Sequence, residues 1–166
     1  MKIQILPILR QITTKATPLF LLGAVLNFGV LSQSAAAQVS ETQVNALVEA
    51  LRLAAPPDSP DDGMYSDWQV LPGTLQGWSE ECLGQSVTPA EFEADPEIAR
   101  SVVSCVAEWQ LEEQSVSAGT DELAAIRQAA CWWMTGESTG CDSGFTAEYV
   151  EQVLGFYQEQ MSSPQS

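Results

Sequence analysis

Four cysteines, five tryptophans and 22 acidic residues supply what chemistry this 166-residue chain has. Cys82, Cys105, Cys131 and Cys141 show no CxxC spacing, and the chain contains no histidine to complete a metal set. An even cysteine count in an exported chain reads first as two disulfides. Three connectivities exist, and Cys82–Cys105 with Cys131–Cys141 is favoured because each joins sequential segments across a turn. Either loop stabilises by about 3 kcal/mol through chain entropy. Asp58-Ser-Pro-Asp-Asp-Gly63 through Asp67 has the glycine of a calcium loop at its sixth position. Its third position is Pro60, however, and its twelfth is Gln69 where a bidentate glutamate belongs, so it reads as a solvated turn. Glu137 and Asp142, beside Cys141, could approach a cation together, which leaves weak calcium binding as an alternative function.

Nucleophilic catalysis lacks its usual bases, since residues 38–166 hold neither histidine nor lysine. There is no glycine-rich phosphate loop, and no cofactor is expected. Trp132 and Trp133 are neighbours on one helix and point about 100° apart. Core packing is expected for both, and the alternative makes one a stacking platform for a sugar or an anchor for a partner. Arg100 and Arg127 are expected in ion pairs with surrounding acids, with Arg127 also a candidate surface residue beside the two tryptophans.

The amino terminus sets the compartment. Lys2, Arg10 and Lys15 precede the 14-residue apolar run Pro18–Leu31, and Ser34-Ala-Ala-Ala37 offers small residues to a signal peptidase. This is the pattern of a cleavable export signal, residues 1–37. The rival, an uncleaved anchor, needs about 20 apolar residues, and this run is interrupted by Asn27 and two glycines. No stable membrane anchor is expected. Cleavage leaves Gln38–Ser166, 129 residues, enough for one domain (38–161) and a disordered tail (162–166). Arg52, Arg100 and Arg127 then face all 22 acids, a formal charge of −19. Nucleic acid and anionic lipid would be repelled. The acidity reads first as solubility in a salty medium, with attraction to a basic protein or a component of the cell envelope as the alternative.

Helices must position these groups. Ser40 and Gln43 form a capping box before the stripe Val44, Leu47, Val48, Leu51, and Pro56-Pro57 ends the helix. Residues 55–87 show no sustained period. Four prolines, four glycines, Trp68 and Trp78 suggest an ordered wrap with one helical turn at Ser79–Leu83. Thr88-Pro-Ala-Glu91 starts a short helix, and Asp95-Pro96 restarts it. Ile98, Val102, Cys105 and Trp109 then predict a core-facing helix to about Gln114, followed by the linker Ser115–Gly119. Thr120-Asp121 caps a third helix, Glu122 to about Thr135, and Gly136 stops it. Thr146 caps a last one carrying Tyr149, Val150, Val153, Leu154, Phe156, Tyr157 and Met161. The expectation is all-α, a small domain of four to five helices with a long ordered loop, stapled by two disulfides.

The string Ser66-Asp-Trp-Gln69, Pro72-Gly73, Trp78, Cys82-Leu-Gly84, Thr88-Pro-Ala-Glu-Phe92, Asp95-Pro96, Ala99-Arg100 and Cys105 continues with Arg127 and Trp132-Trp-Met-Thr-Gly136, then Tyr149, Val153-Leu154 and Phe156-Tyr157. Over about Ser66–Gln160 it resembles a group of small exported helical proteins of cyanobacteria. The resemblance implies export to a periplasm or thylakoid lumen, and no catalytic residues. Tyr149–Tyr157 after Asp-Ser-Gly also distantly resembles the closing helix of lytic transglycosylases, which act on cell-wall glycan through paired carboxylates. Glu137 comes too late to match their catalytic glutamate, and Glu108 and Glu112 lie in no comparable motif. The reading is therefore an exported protein that binds or associates, in a periplasm, a thylakoid lumen or outside the cell, and not an enzyme. Mass spectrometry of the protein from its host should find an amino terminus at Gln38; an intact Met1 in a membrane fraction would overturn the export reading.

Overall fold

The computed structural model describes residues 38–57, 59 and 62–163. The expected export signal 1–37, Asp58, Pro60 and Asp61 of the aspartate-rich loop, and residues 164–166 of the expected tail lie outside them. Helix α1, Glu41–Ala54, opens with the expected capping box, the Ser40 hydroxyl accepting from the Gln43 N–H while the Gln43 side chain accepts from the Ser40 N–H. It buries Val44, Leu47, Val48 and Leu51, with Ala46, Ala50 and Ala54 filling the flanks. Each such leucine or valine, moved from water to core, contributes roughly 1.5–3 kcal/mol.

Five more helices follow: α2 Pro72–Leu83, α3 Pro89–Ala94, α4 Pro96–Ala118, α5 Glu122–Thr135 and α6 Gly144–Ser162. Among the described residues there is no strand, only the isolated bridge between Tyr65 and Val70. The fold is all-α. Helix α1 packs on α6, α6 on α5, α5 on α4 and α4 back on α1, closing a four-helix ring. Helices α2 and α3 pack on the outside of α4. Both disulfides form as favoured, Cys82–Cys105 and Cys131–Cys141.

The main departure from expectation is α2, which occupies a third of the segment expected to be irregular. Its ends are well marked, with Pro72 in the first turn and Gly84 taking φ 68° just past the last. Its interior hides it. Gly73 and Gly77 each weaken a helix by about 0.5–1 kcal/mol relative to alanine, and only Leu75 and Ser79 are buried. No wide apolar stripe exists to be seen. Ser79 repays its burial by donating to the Gln76 carbonyl and accepting from the Val87 N–H at 3.0 Å, which folds the following loop back onto α2.

Smaller corrections concern helix ends. Helix α4 continues through the expected linker to Ala118, its added turn tied to α5 where the Ser117 hydroxyl lies 2.8 Å from Gln128 Oε1. Helix α6 starts at Gly144 rather than after Thr146. Thr146 instead donates its hydroxyl to the Ser143 carbonyl from inside the first turn. The Cys131–Cys141 bond holds the preceding loop close to α5, and the helix is entered through Ser143 and Gly144, φ 65°, with its N-cap three residues earlier than capping chemistry alone suggests. Trp109, expected in the core, is 53 % exposed.

Trp68 does reach the core. Its indole is 3 % exposed and donates from Nε1 to the Val48 carbonyl at 2.9 Å, bridging the 65–70 turn to α1. The Arg100 guanidinium covers its outer face, 5.5 Å from the ring. Arg100 also meets Glu49 at 3.3 Å, and Arg52 meets the same carboxylate at 2.5 Å and Asp67 at 3.6 Å. One partly buried glutamate thus ties α1, α4 and the turn together. Hydrogen bonds from Arg52, outweighing partial burial and reinforced by Arg100, hold the Glu49 carboxyl below the ordinary glutamate range.

Two outcomes follow for stability. A carboxyl lowered in the folded state stabilises fully above its unfolded pKa of about 4.5, and that contribution drains away as pH falls through the lower folded value. Glu49→Gln should therefore cost up to about 1 kcal/mol at pH 7, with the gap to the parent narrowing as pH is lowered below 4.5, measured by urea denaturation across that range. Replacing Cys82 and Cys105 together by serine should cost about 3 kcal/mol and alter the near-ultraviolet circular dichroism. Unchanged aromatic signals would mean that α2 holds its place without the cross-link.

Candidate functional site

Trp78 stands one turn before Cys82 on α2, and Trp109 one turn after Cys105 on α4. The disulfide, with its Cα atoms 5.9 Å apart, brings the two helices together at this level. Helix α5 supplies the rest. Trp132 stacks on Trp78 with ring centroids 6.1 Å apart and planes 22° apart, and meets Trp109 edge-on at 5.6 Å. Trp133 lies against Trp78 from another side at 5.0 Å. Such offset and edge-to-face pairs each contribute about 0.5–1.5 kcal/mol beyond area burial.

Four of the chain's five tryptophans therefore form one array on three helices. Trp78, Trp132 and Trp133 are half-buried and Trp109 is exposed. Trp133 packs against the hydrophobic core, as expected of both, whereas half-buried Trp132 lies outside that cluster. Their 100° divergence is spanned by a third indole, because Trp78 from α2 comes within contact distance of both. Two turns beyond Trp109 on the same face, Val116 is 83 % exposed and extends the apolar strip. Glu112 and Glu113 stand between them, also exposed.

Arg127 is not part of this array. Five residues before Trp132, it points about 140° away around α5. There it lines a groove between α5 and α6 and pairs with Glu151 at 2.6 Å. Arg100 and Arg127 are both in ion pairs, as expected.

The acidic candidates are dispersed. The Asp62 carboxylate accepts from the Ser59 and Met64 N–H groups, closing a turn on itself, while Asp67 faces Arg52. Glu137 and Asp142 are exposed on the loop closed by the second disulfide, and Glu108 and Glu112 on the outer side of α4. Among the described residues no three histidine, cysteine, aspartate or glutamate side chains cluster as a metal site. None of the described helices is long and apolar enough to cross a membrane.

The array had a signal in the sequence. Each cysteine of the favoured first pair has a tryptophan four residues away, on opposite sides in sequence, so linking the cysteines draws the tryptophans together as well. Assigning Trp109 to the core by periodicity concealed that pairing. Comparison of the chain with family models, with curated proteins and with solved structures gave no match.

Proposed function

We propose that this is an exported, non-catalytic binding protein whose contact surface is the tryptophan array, and that its ligand is a neutral glycan of the cell envelope. The observation that carries the reading is the partly exposed, disulfide-braced cluster of Trp78, Trp109, Trp132 and Trp133. Exposed indoles cost solvation free energy, and a contiguous apolar patch rimmed by acids is the usual mark of a contact surface. Flat indole faces suit the C–H faces of sugar rings. Mounting them on helices joined by a disulfide removes most of the ordering entropy that binding would otherwise cost.

The chemistry of the chain supports binding over catalysis, because residues 38–166 lack histidine and lysine. The charge of −19 on residues 38–166 disfavours anionic ligands and acts over about 8–10 Å at moderate salt. Two disulfides suit an oxidising compartment. With the export segment and the resemblance to exported cyanobacterial proteins, they support a home in the periplasm or thylakoid lumen.

Disulfide-intact protein should co-sediment with insoluble β-1,4-linked glycans: cellulose, chitin or peptidoglycan sacculi. Trp109→Ala combined with Trp132→Ala should reduce retention about tenfold or more, with the fold kept by circular dichroism. Retention should persist in 0.5 M sodium chloride, because stacking is not ionic. Failure to bind any of the three, or retention abolished by salt, would replace this reading with a charge-driven partner.

A further inference from the structure

Trp78 and Trp133 also wall a cavity of about 170 Å3 that opens beside the array, floored by Tyr149 of α6 and closed by Trp68, Gln69 and Met134. Among the described residues no charged side chain lines it, although acids outnumber arginines 22 to 3 in residues 38–166. Gln69, Tyr149 and Thr74 contribute the polar side chains of an otherwise apolar, aromatic lining. The Gln69 Nε2 donates to the Ser66 carbonyl at 3.0 Å, which fixes the orientation of the amide. Its Oε1 is buried and accepts no hydrogen bond among the described residues. Tyr149 is 3 % exposed, and its hydroxyl makes no hydrogen bond among the described residues. Burial pushes that hydroxyl far up in pKa, so it remains a proton donor at any physiological pH.

Gln69 holds its position at a cost, since its backbone sits at φ 54°, in the left-handed region that disfavours side chains. Ser66 of the same turn is at φ 63°. Strain of this kind, joined to an unmade hydrogen bond, is characteristic of residues kept for binding. The unpaired acceptor and unpaired donor call for a ligand that donates one hydrogen bond and accepts another. The apolar walls call for carbon beside it. A cation would meet no carboxylate here and would lose its hydration without return.

We propose that this cavity binds the acetamido group of an N-acetylated sugar. Its N–H donates to Gln69 Oε1, its carbonyl accepts from the Tyr149 hydroxyl, and its methyl packs among the indoles and Met134. The sugar ring then lies against Trp78 and Trp133, continuous with the outer stack. This rests on the reading of the array as a glycan surface and adds the group that selects the glycan.

The test compares the β-1,4-linked trimer of N-acetylglucosamine with the β-1,4-linked trimer of glucose, titrated against tryptophan fluorescence of the disulfide-intact protein. The two share a ring skeleton and differ by acetamido against hydroxyl. The acetylated trimer should bind about tenfold tighter or more, the worth of one well-made hydrogen bond. Tyr149→Phe and Gln69→Met, both close in shape to the parent, should each remove about that factor while melting temperature holds or rises. Equal binding of the two trimers, or an acetylated trimer indifferent to both variants, overturns the cavity assignment and leaves the stacking surface standing. Binding of neither trimer overturns the assignment as well, and sedimentation with insoluble glycan then decides the broader reading. An N-acetylated dipeptide amide binding as tightly as the sugar would assign the cavity to peptide instead. Should a variant fail to fold, the ratio of the two trimers on the parent protein decides alone.

Discussion

The Cys82–Cys105 bond is the constraint on which the outer half of this structure depends. Helix α2 buries only Leu75 and Ser79 along its length and carries two interior glycines, so neither propensity nor packing holds it firmly. A covalent link to the longest helix supplies what the core does not. It also fixes a level on α4, and the indoles one turn from each cysteine then meet the tryptophan pair of α5. Remove that level and the array has no reason to assemble, because α2 makes few other contacts with the bundle.

The ring of α1, α4, α5 and α6 obeys a different logic. Wide stripes of valine, leucine and alanine bury against each other, and caps at Ser40, Asp95 and Asp121 mark where α1, α4 and α5 start. Those features are local and periodic, which is why they could be read directly from residue order. Cysteine pairing was legible too, since sequential joining left one favoured arrangement. What escaped reading depends on contacts between distant segments. Trp109 continues the apolar period of α4 and therefore reads as core, but it stands on the flank shared with α2, where the disulfide holds a second indole at the surface. Helix α2 itself has clear ends and almost no interior pattern.

The candidate site was half visible for the same reason. Trp132 and Trp133 stood out as a pair, yet nothing in their spacing says that Trp78 lies against both. The cavity behind them could not be read at all. It depends on the left-handed backbone at Gln69, which no glycine announces, and on Tyr149 arriving from the far end of the chain. Arg127 looked like a neighbour by number, but the helical turn carries it to another face. Sequence proximity is a poor guide to which side chains share a surface once helices are involved.

The arrangement of the arginines bears on how the protein resists proteolysis. With no lysine in residues 38–166, proteases that cut after basic residues have only Arg52, Arg100 and Arg127 to attack. All three lie within helices, in α1, α4 and α5, and each holds a carboxylate partner. A protease needs an extended stretch of chain around the cut, so each site requires a helix to open first, and opening is governed by the stability of the bundle. A chain built this way offers such enzymes almost nothing until it unfolds.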